Sequence, residues 1–271
     1  MSLLLEPLAY AFFVRALIAA VLVGVVSAAL GAFVVLRGMA FLGDALAHTI
    51  LPGVVGAHLL GWPLSLGALL MGVLTAVGIG AITSRTALKE DTAIGVIFAG
   101  MFALGVAMLS ATGNYSQDLA HFLFGNLLGV STADLWLMAG LSGFVLLILF
   151  LLYKEFMVLA FDAVLATALR LPTAFLNYLM LILIAVTIVV ALQVVGIALM
   201  LAMLVTPAAT ASLLTKRLTP MIFVAAVLGA LSGIIGLYAS YYLNIASGPA
   251  VVLVSTAAFV LAFSRKLLLR N

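Results

Sequence analysis

The 271 residues are 67% hydrophobic and only 7% charged, with a mean hydropathy of +1.44, whereas a soluble domain carries about 25% charged residues. That excludes a soluble domain, and apolar runs longer than about 18 residues, recurring between turn-like breaks, exclude a β-barrel in favour of membrane-spanning helices. The net charge of +3 comes from cations at segment ends rather than from a nucleic-acid-binding stripe, and the lack of cysteine removes disulfides and thiolate metal sites.

Met1 to Phe13 has no basic leader and no small-residue cleavage site, so no removable signal peptide is expected. Segment one runs from about Phe13 to Leu36 and ends at Arg37-Gly38. Segment two, about Asp44 to Leu60, closes at Gly61-Trp62-Pro63, with the tryptophan where an interfacial belt would place it. Segment three, Leu64 to Ser84, leads into the charged loop Arg85 to Asp91, which the bias of cations toward inner loops makes cytoplasmic. Segment four, Thr92 to Ala111, returns to the outside. The run His121 to Gly129 is too short to span and reads as re-entrant or interfacial.

Segment five, Asp134 to Tyr153, leads to an inner loop, 154–173, holding Lys154, Glu155, Asp162 and Arg170. Segments six and seven, about Phe175 to Leu192 and Gly196 to Leu214, meet at an outer turn, Gln193 to Gly196. Segment eight spans Met221 to Leu243, Asn244 to Pro249 turns outside, and segment nine ends at Arg265-Lys266 inside. The expectation is an all-α polytopic transmembrane helical bundle, one domain over 1–271, with nine spans and an outside N-terminus. Eight spans, with segment two not crossing fully, is the alternative.

Asp44 and His48 stand at i and i+4, which on a helix puts their Cβ atoms about 6 Å apart on one face. Ionisable groups inside a bilayer cost on the order of 3 kcal/mol each, so they point to function. One oxygen and one nitrogen donor suit Mn, Fe, Co or Zn better than Mg or Ca. Two ligands leave a coordination shell incomplete, which suits a site that must release its ion. Asp44 could also cap the helix it opens or pair with Arg37, and neither role excludes a metal. His121 is a candidate auxiliary ligand or an interfacial polar residue.

Thr206-Pro207 lies inside segment seven and predicts a kink or unwound turn of the kind that lines a pathway. Lys89-Glu90-Asp91 reads as a solvated loop capping the next helix. The chain has no G-x-x-x-x-G-K-[ST] and no G-x-G-x-x-G opening a helix, so it is not expected to hydrolyse ATP itself. The reading is transport, not enzymatic catalysis.

Fragments in a fixed order carry a resemblance: Met39 to Gly53, Leu88 to Gly95, Phe122 to Asn126, Tyr153 to Glu155, Phe161-Asp162, Gln193 to Gly196, Pro207 to Ala211 and Ser247 to Pro249. Over nearly the whole chain they resemble the membrane subunit of ABC metal importers of the manganese/zinc/chelated-iron permease family. The resemblance implies a fold similar to the vitamin B12 and siderophore importer permeases, with one helix fewer at the start, in the inner or plasma membrane of a prokaryote. It implies a second permease copy (a homodimer), a dimer of cytoplasmic ATP-binding subunits, and an extracytoplasmic metal-binding protein that delivers the ion.

By the same resemblance, Asp44 and His48 fall on the pathway metal site, and Phe161, Asp162, Ala166, Arg170, Leu171 and Pro172 fall on the segment that couples to the ATPase. There the family reads Phe-Asp-Pro-Glu, then a small residue and Gly before Leu, whereas this chain has Ala163, Val164 and Arg170. No permanently bound cofactor is implied; Mn²⁺, Zn²⁺ or Fe²⁺ is the cargo. The alternative from another class is a proton-coupled or ungated carrier without an ATPase, with Asp44 and His48 as a proton relay.

Overall fold

The computed structural model describes residues 5–86, 88–112 and 127–268. His121 and Phe122 to Asn126 lie outside the described residues. Among those residues there is no strand, and the helices are α1 (Ala11–Leu36), α2 (Leu42–Thr49), α3 (Leu51–Leu60), α4 (Leu64–Arg85), α5 (Glu90–Thr112), α6 (Thr132–Leu151), α7 (Tyr153–Phe161), α8 (Ala163–Ala168), α9 (Thr173–Leu214), α10 (Leu218–Leu243) and α11 (Ser247–Leu268). Eight helical stretches among the described residues are long and apolar enough to cross a bilayer, with α9 supplying two of them. The chain packs as two units that interleave along the sequence: Met1–Val35, Phe124–Leu146 and Ala191–Asn271 form the first, Leu36–Leu123 and Leu147–Val190 the second.

In the first unit, small residues let backbones touch. Gly24 of α1 meets Gly229 of α10 so closely that a Cβ on Gly24 would stand 2.7 Å from the Gly229 carbonyl. A Cβ on Gly31 would stand 1.8 Å from the Leu204 carbonyl of α9. In hydrocarbon the hydrophobic effect does not drive helices together, so close van der Waals approach of this kind is what holds them. Phe13 lies edge-on against Tyr238 and Tyr241, with ring centroids 5.3 and 5.7 Å away. These pairs make α1 antiparallel to α10. Helix α1 therefore starts at the end of α10 opposite Lys216-Arg217, the outer end by the cation bias.

In the second unit, segment two is not the single helix expected from Asp44. It is two short helices, α2 and α3, joined at Ile50. Pro52 is the cause: it has no N–H for the His48 carbonyl, and its ring crowds that oxygen, so it occupies the first turn of a new helix instead. The broken segment still runs alongside α5. Phe41 and His48 pack on Phe98, Leu51 closes over Gly105, and Gly56 faces Met108. It thus runs in the same direction as α5 from Phe98 to Met108, and neither of its two helices is by itself long enough to cross a bilayer. Helix α4 returns beside α3, with Gly53 and Gly67 in backbone contact, a Cβ on either standing 2.1 Å from the other's carbonyl.

The break in α9 is at Gly196, whose φ of +76° and ψ of 173° are open to glycine and closed to side-chain-bearing residues. Pro207, where a kink or unwound turn was expected, lies inside helical backbone and is buried. The carbonyl that Pro207 leaves without its usual N–H is that of Met203, and proline is tolerated in membrane helices where neighbours re-satisfy such groups. Gly31 presses on the same stretch, from Leu204 to Ala208.

Candidate metal pathway site

Helix α2 begins at Leu42, which puts Asp44 inside its first turn; the N-cap is Phe41, and no side chain caps it. The expected capping role of Asp44 is therefore not what the fold uses, although a carboxylate in a first turn still suits the helix dipole. The alternative pairing with Arg37 is not made either. Arg37 donates from Nη2 to the Glu90 carboxylate and, at 2.6 Å, to Asn177 Oδ1. This also corrects Lys89-Glu90-Asp91, of which Glu90 is part of a half-buried ion pair and not a freely solvated cap.

Asp44 stays available as a donor. Its carboxylate Oδ1 stands 3.6 Å from His48 Nδ1, and the two side chains are 37% and 32% exposed. That distance is too long for a hydrogen bond. Two donors each about 2.1 Å from one tetrahedral ion stand about 3.4 Å apart, so the separation fits a shared cation. The ring has a second contact, Nδ1 to the Asp44 carbonyl at 2.9 Å. With hydrogen on Nδ1 it donates to that carbonyl and Nε2 keeps the free lone pair; Nδ1 turns to a cation shared with the carboxylate only by giving up that hydrogen bond. Either tautomer offers one nitrogen.

The ring is held from α5. His48 sits edge-on to Phe98 and Phe102, centroids 5.8 and 5.5 Å away, and those two rings stack on each other at 5.9 Å. Sequence reasoning missed both phenylalanines: two rings one turn apart in an apolar span look like any lipid-facing pair. Phe41, Asp44 and His48 form an open stripe at i, i+3 and i+7, while Leu42, Ala45, Leu46, Ala47 and Thr49 are buried. No group of three or more His, Cys, Asp or Glu side chains gathers among the described residues, so the pair stands two donors strong. A groove of about 440 Å³ between α4 and α5, lined by Met71, Leu74, Thr75, Val96 and Met101 among others, is mostly apolar, with the Thr75 hydroxyl as its side-chain oxygen.

The inner stretch 154–173 folds as α7 and α8 with a short link into α9. Asp162 caps α8, its carboxylate accepting from the Val164 and Leu165 N–H groups at 2.9 Å each. Ala166 is fully buried, so it cannot touch a partner, contrary to expectation. Phe161, Asp162, Arg170 and Pro172 of the expected set are exposed and Leu171 is partly so, and Val164, Leu165 and Leu169 add apolar surface, with Val164 79% exposed. Arg170 follows in the left-handed region at φ +57°, its N–H on the Thr167 carbonyl, and Leu171 N–H returns to the Ala166 carbonyl. Val164, Leu165 and Leu169 were not singled out from sequence, because in an apolar chain their lack of cover is invisible until the backbone turns.

Residues 9–266 match the protein family described as the ABC 3 transport family. The chain is 45% identical over 258 residues to the manganese transport system membrane protein MntC of Halalkalibacterium halodurans, across 95% of this chain and 88% of that one. It is 40% identical over 261 residues to the chelated iron transport system membrane protein YfeD of Yersinia pestis, across 96% and 88%. Among solved structures it is similar to PsaBC from Streptococcus pneumoniae in complex with Fab, with a TM-score of 0.84 and 38% identity over 99% of each chain. With its apolar helices and this likeness over almost its full length, the chain belongs to the ABC 3 transport family, as a multi-pass membrane subunit of an ABC importer.

Proposed function

We propose that the chain carries a divalent transition metal inward, Mn²⁺ or Zn²⁺ and by the same donors Fe²⁺, with ATP hydrolysed on separate cytoplasmic subunits. The observation that carries this reading is the half-exposed Asp44 and His48 pair, 3.6 Å apart on a helix broken from its successor. A carboxylate oxygen and an imidazole nitrogen are borderline ligands that hold such ions without a thiolate's grip. The names of the relatives, manganese for one and chelated iron for another, agree with that donor set. A second copy facing the open stripe across a twofold axis would add another Asp44 and His48, bringing four donors to one ion.

On the inner side, the apolar surface of Phe161, Val164, Leu165 and Leu169 offers the ATPase a place to seat. Arg170 beside it is charged, exposed and suited to an acidic group on that partner. An extracytoplasmic metal-binding protein would deliver the ion at the opposite end.

The test is ATP-driven uptake of radiolabelled Mn²⁺ into vesicles bearing the complex. Asp44→Ala and His48→Ala are each expected to reduce uptake to background while the ATPase still co-purifies. Uptake at the wild-type rate in both variants would remove the site. Uptake that persists with the ATPase absent would favour the carrier without an ATPase.

A further inference from the structure

We propose that Arg37 is a positioning residue that transmits movement of the α7–α8 end of the chain to the Asp44 and His48 pair, through Asn177 and Glu90. This rests on the importer reading above and names how its two ends are joined. All the contacts lie in the second unit.

The Arg37 side chain is 12% exposed, and its Nη2 reaches two partners: the Glu90 carboxylate at the start of α5, and Asn177 Oδ1 at 2.6 Å. Its Nη1 is buried without a partner among the described residues. A buried guanidinium left short of partners is costly, so the two bonds it makes strongly constrain where it sits.

Each partner leads to a different place. Asn177 is on α9, one turn past Thr173, where that helix leaves α8 through Leu169 to Pro172. Any shift of α8 against an ATPase therefore moves Asn177, because the link is only four residues long. Glu90 opens α5, the helix whose Phe98 and Phe102 hold the His48 ring. Arg37 itself is followed by Gly38 at φ +70°, with nothing within 4 Å of where a Cβ would stand. The glycine is there for its backbone conformation, and the chain pivots at that point before entering α2 and Asp44. One guanidinium thus touches the element that would feel the ATPase, the helix that orients His48, and the pivot ahead of Asp44. Spatial linkage is not yet coupling, which needs an element that both sites bias.

The experiment uses the full-length chain with its ATPase in proteoliposomes, measuring Mn²⁺ uptake, ATP hydrolysis and Mn²⁺ binding on the same preparations. Asn177→Ala cuts only the tie to α9 and leaves the Arg37–Glu90 pair intact. It is expected to lower uptake per ATP by about ten-fold, the size of an ordinary coupling free energy, with basal hydrolysis and Mn²⁺ binding within about two-fold of wild type. Asn177→Asp keeps an acceptor for Arg37 and is expected to restore coupling; Arg37→Gln is expected to uncouple like Asn177→Ala. The proposal is overturned if both uncoupling variants keep the wild-type ratio, or if Mn²⁺ binding falls in step with uptake, which marks a structural role only. Asp44→Ala, run alongside, separates the two readings: its loss of uptake beside a normal Asn177→Ala leaves the importer standing and removes this link.

Discussion

In the first unit, α1 lies on α10 glycine against glycine, with the Gly24 and Gly229 backbones in contact and Phe13 edge-on to two tyrosines. In the second unit, the equally tight Gly53 and Gly67 contact sits beside a helix broken by Pro52, a carboxylate and imidazole pair, and a guanidinium with one buried nitrogen unpaired. Both units use small residues to bring backbones together, since hydrocarbon supplies no other strong attraction. The second sets a carboxylate and an imidazole one turn apart beside its helix break, whereas the first has a break at Gly196 and a buried Arg15 Nε without a partner among the described residues. Ionisable groups inside a membrane point to function, so under the proposed reading the second unit is the part that meets the ion.

The comparison breaks most readily at the glycines. Gly31→Val in the first unit and Gly53→Val in the second would drive a side chain into a carbonyl that a Cβ alone would already approach at 1.8 and 2.1 Å. Each is expected to cost at least about 3 kcal/mol and to deplete folded protein in detergent, measured by thermal melting. Equal sensitivity in both units would show that they share one packing rule.

Phenylalanine substitutions then separate the units. Phe13→Ala, fully buried in the first unit, is expected to destabilise by about 3–5 kcal/mol while the folded fraction keeps its apparent KM for Mn²⁺. Phe98→Ala frees the His48 ring and forfeits aromatic contacts worth about 0.5–1.5 kcal/mol each. It is expected to raise the KM for Mn²⁺ several-fold with a smaller loss of melting temperature than Phe13→Ala. An unchanged KM in Phe98→Ala would return that residue to the scaffold.

The smallest effect is at Arg170, whose φ of +57° costs a residue with a Cβ about 1–2 kcal/mol. Arg170→Gly relieves that cost and is expected to raise stability by about 1 kcal/mol while weakening retention of the ATPase at low salt. Left-handed backbone favours glycine, so an arginine at this position gives up stability. Retention that does not change with salt in either protein would argue that the charge pairs with nothing.

Much of this was legible in the chain because it depends on neighbours in sequence. Apolar runs set the spans to within a few residues, the cations marked their inner ends, and four positions of spacing put Asp44 and His48 on one helix face. The break in α9 falls at Gly196, the last residue of the turn expected at Gln193 to Gly196. At Pro207 the backbone stays helical, so of the kink or unwound turn expected there the unwound turn is not formed.

What composition, periodicity and spacing determined was therefore the membrane class, the order of the apolar segments and the placing of Asp44 and His48 on one helix face. Only the tertiary structure decided which partners the charges took and which faces stayed uncovered. Arg37 chose Glu90, 53 residues away, over Asp44 only seven away, and Ala166 turned inward while Val164 and Leu165 turned out. The physical reason is that a buried charge is stabilised by whatever donor or acceptor the packed helices bring within about 3 Å, and sequence distance does not measure that.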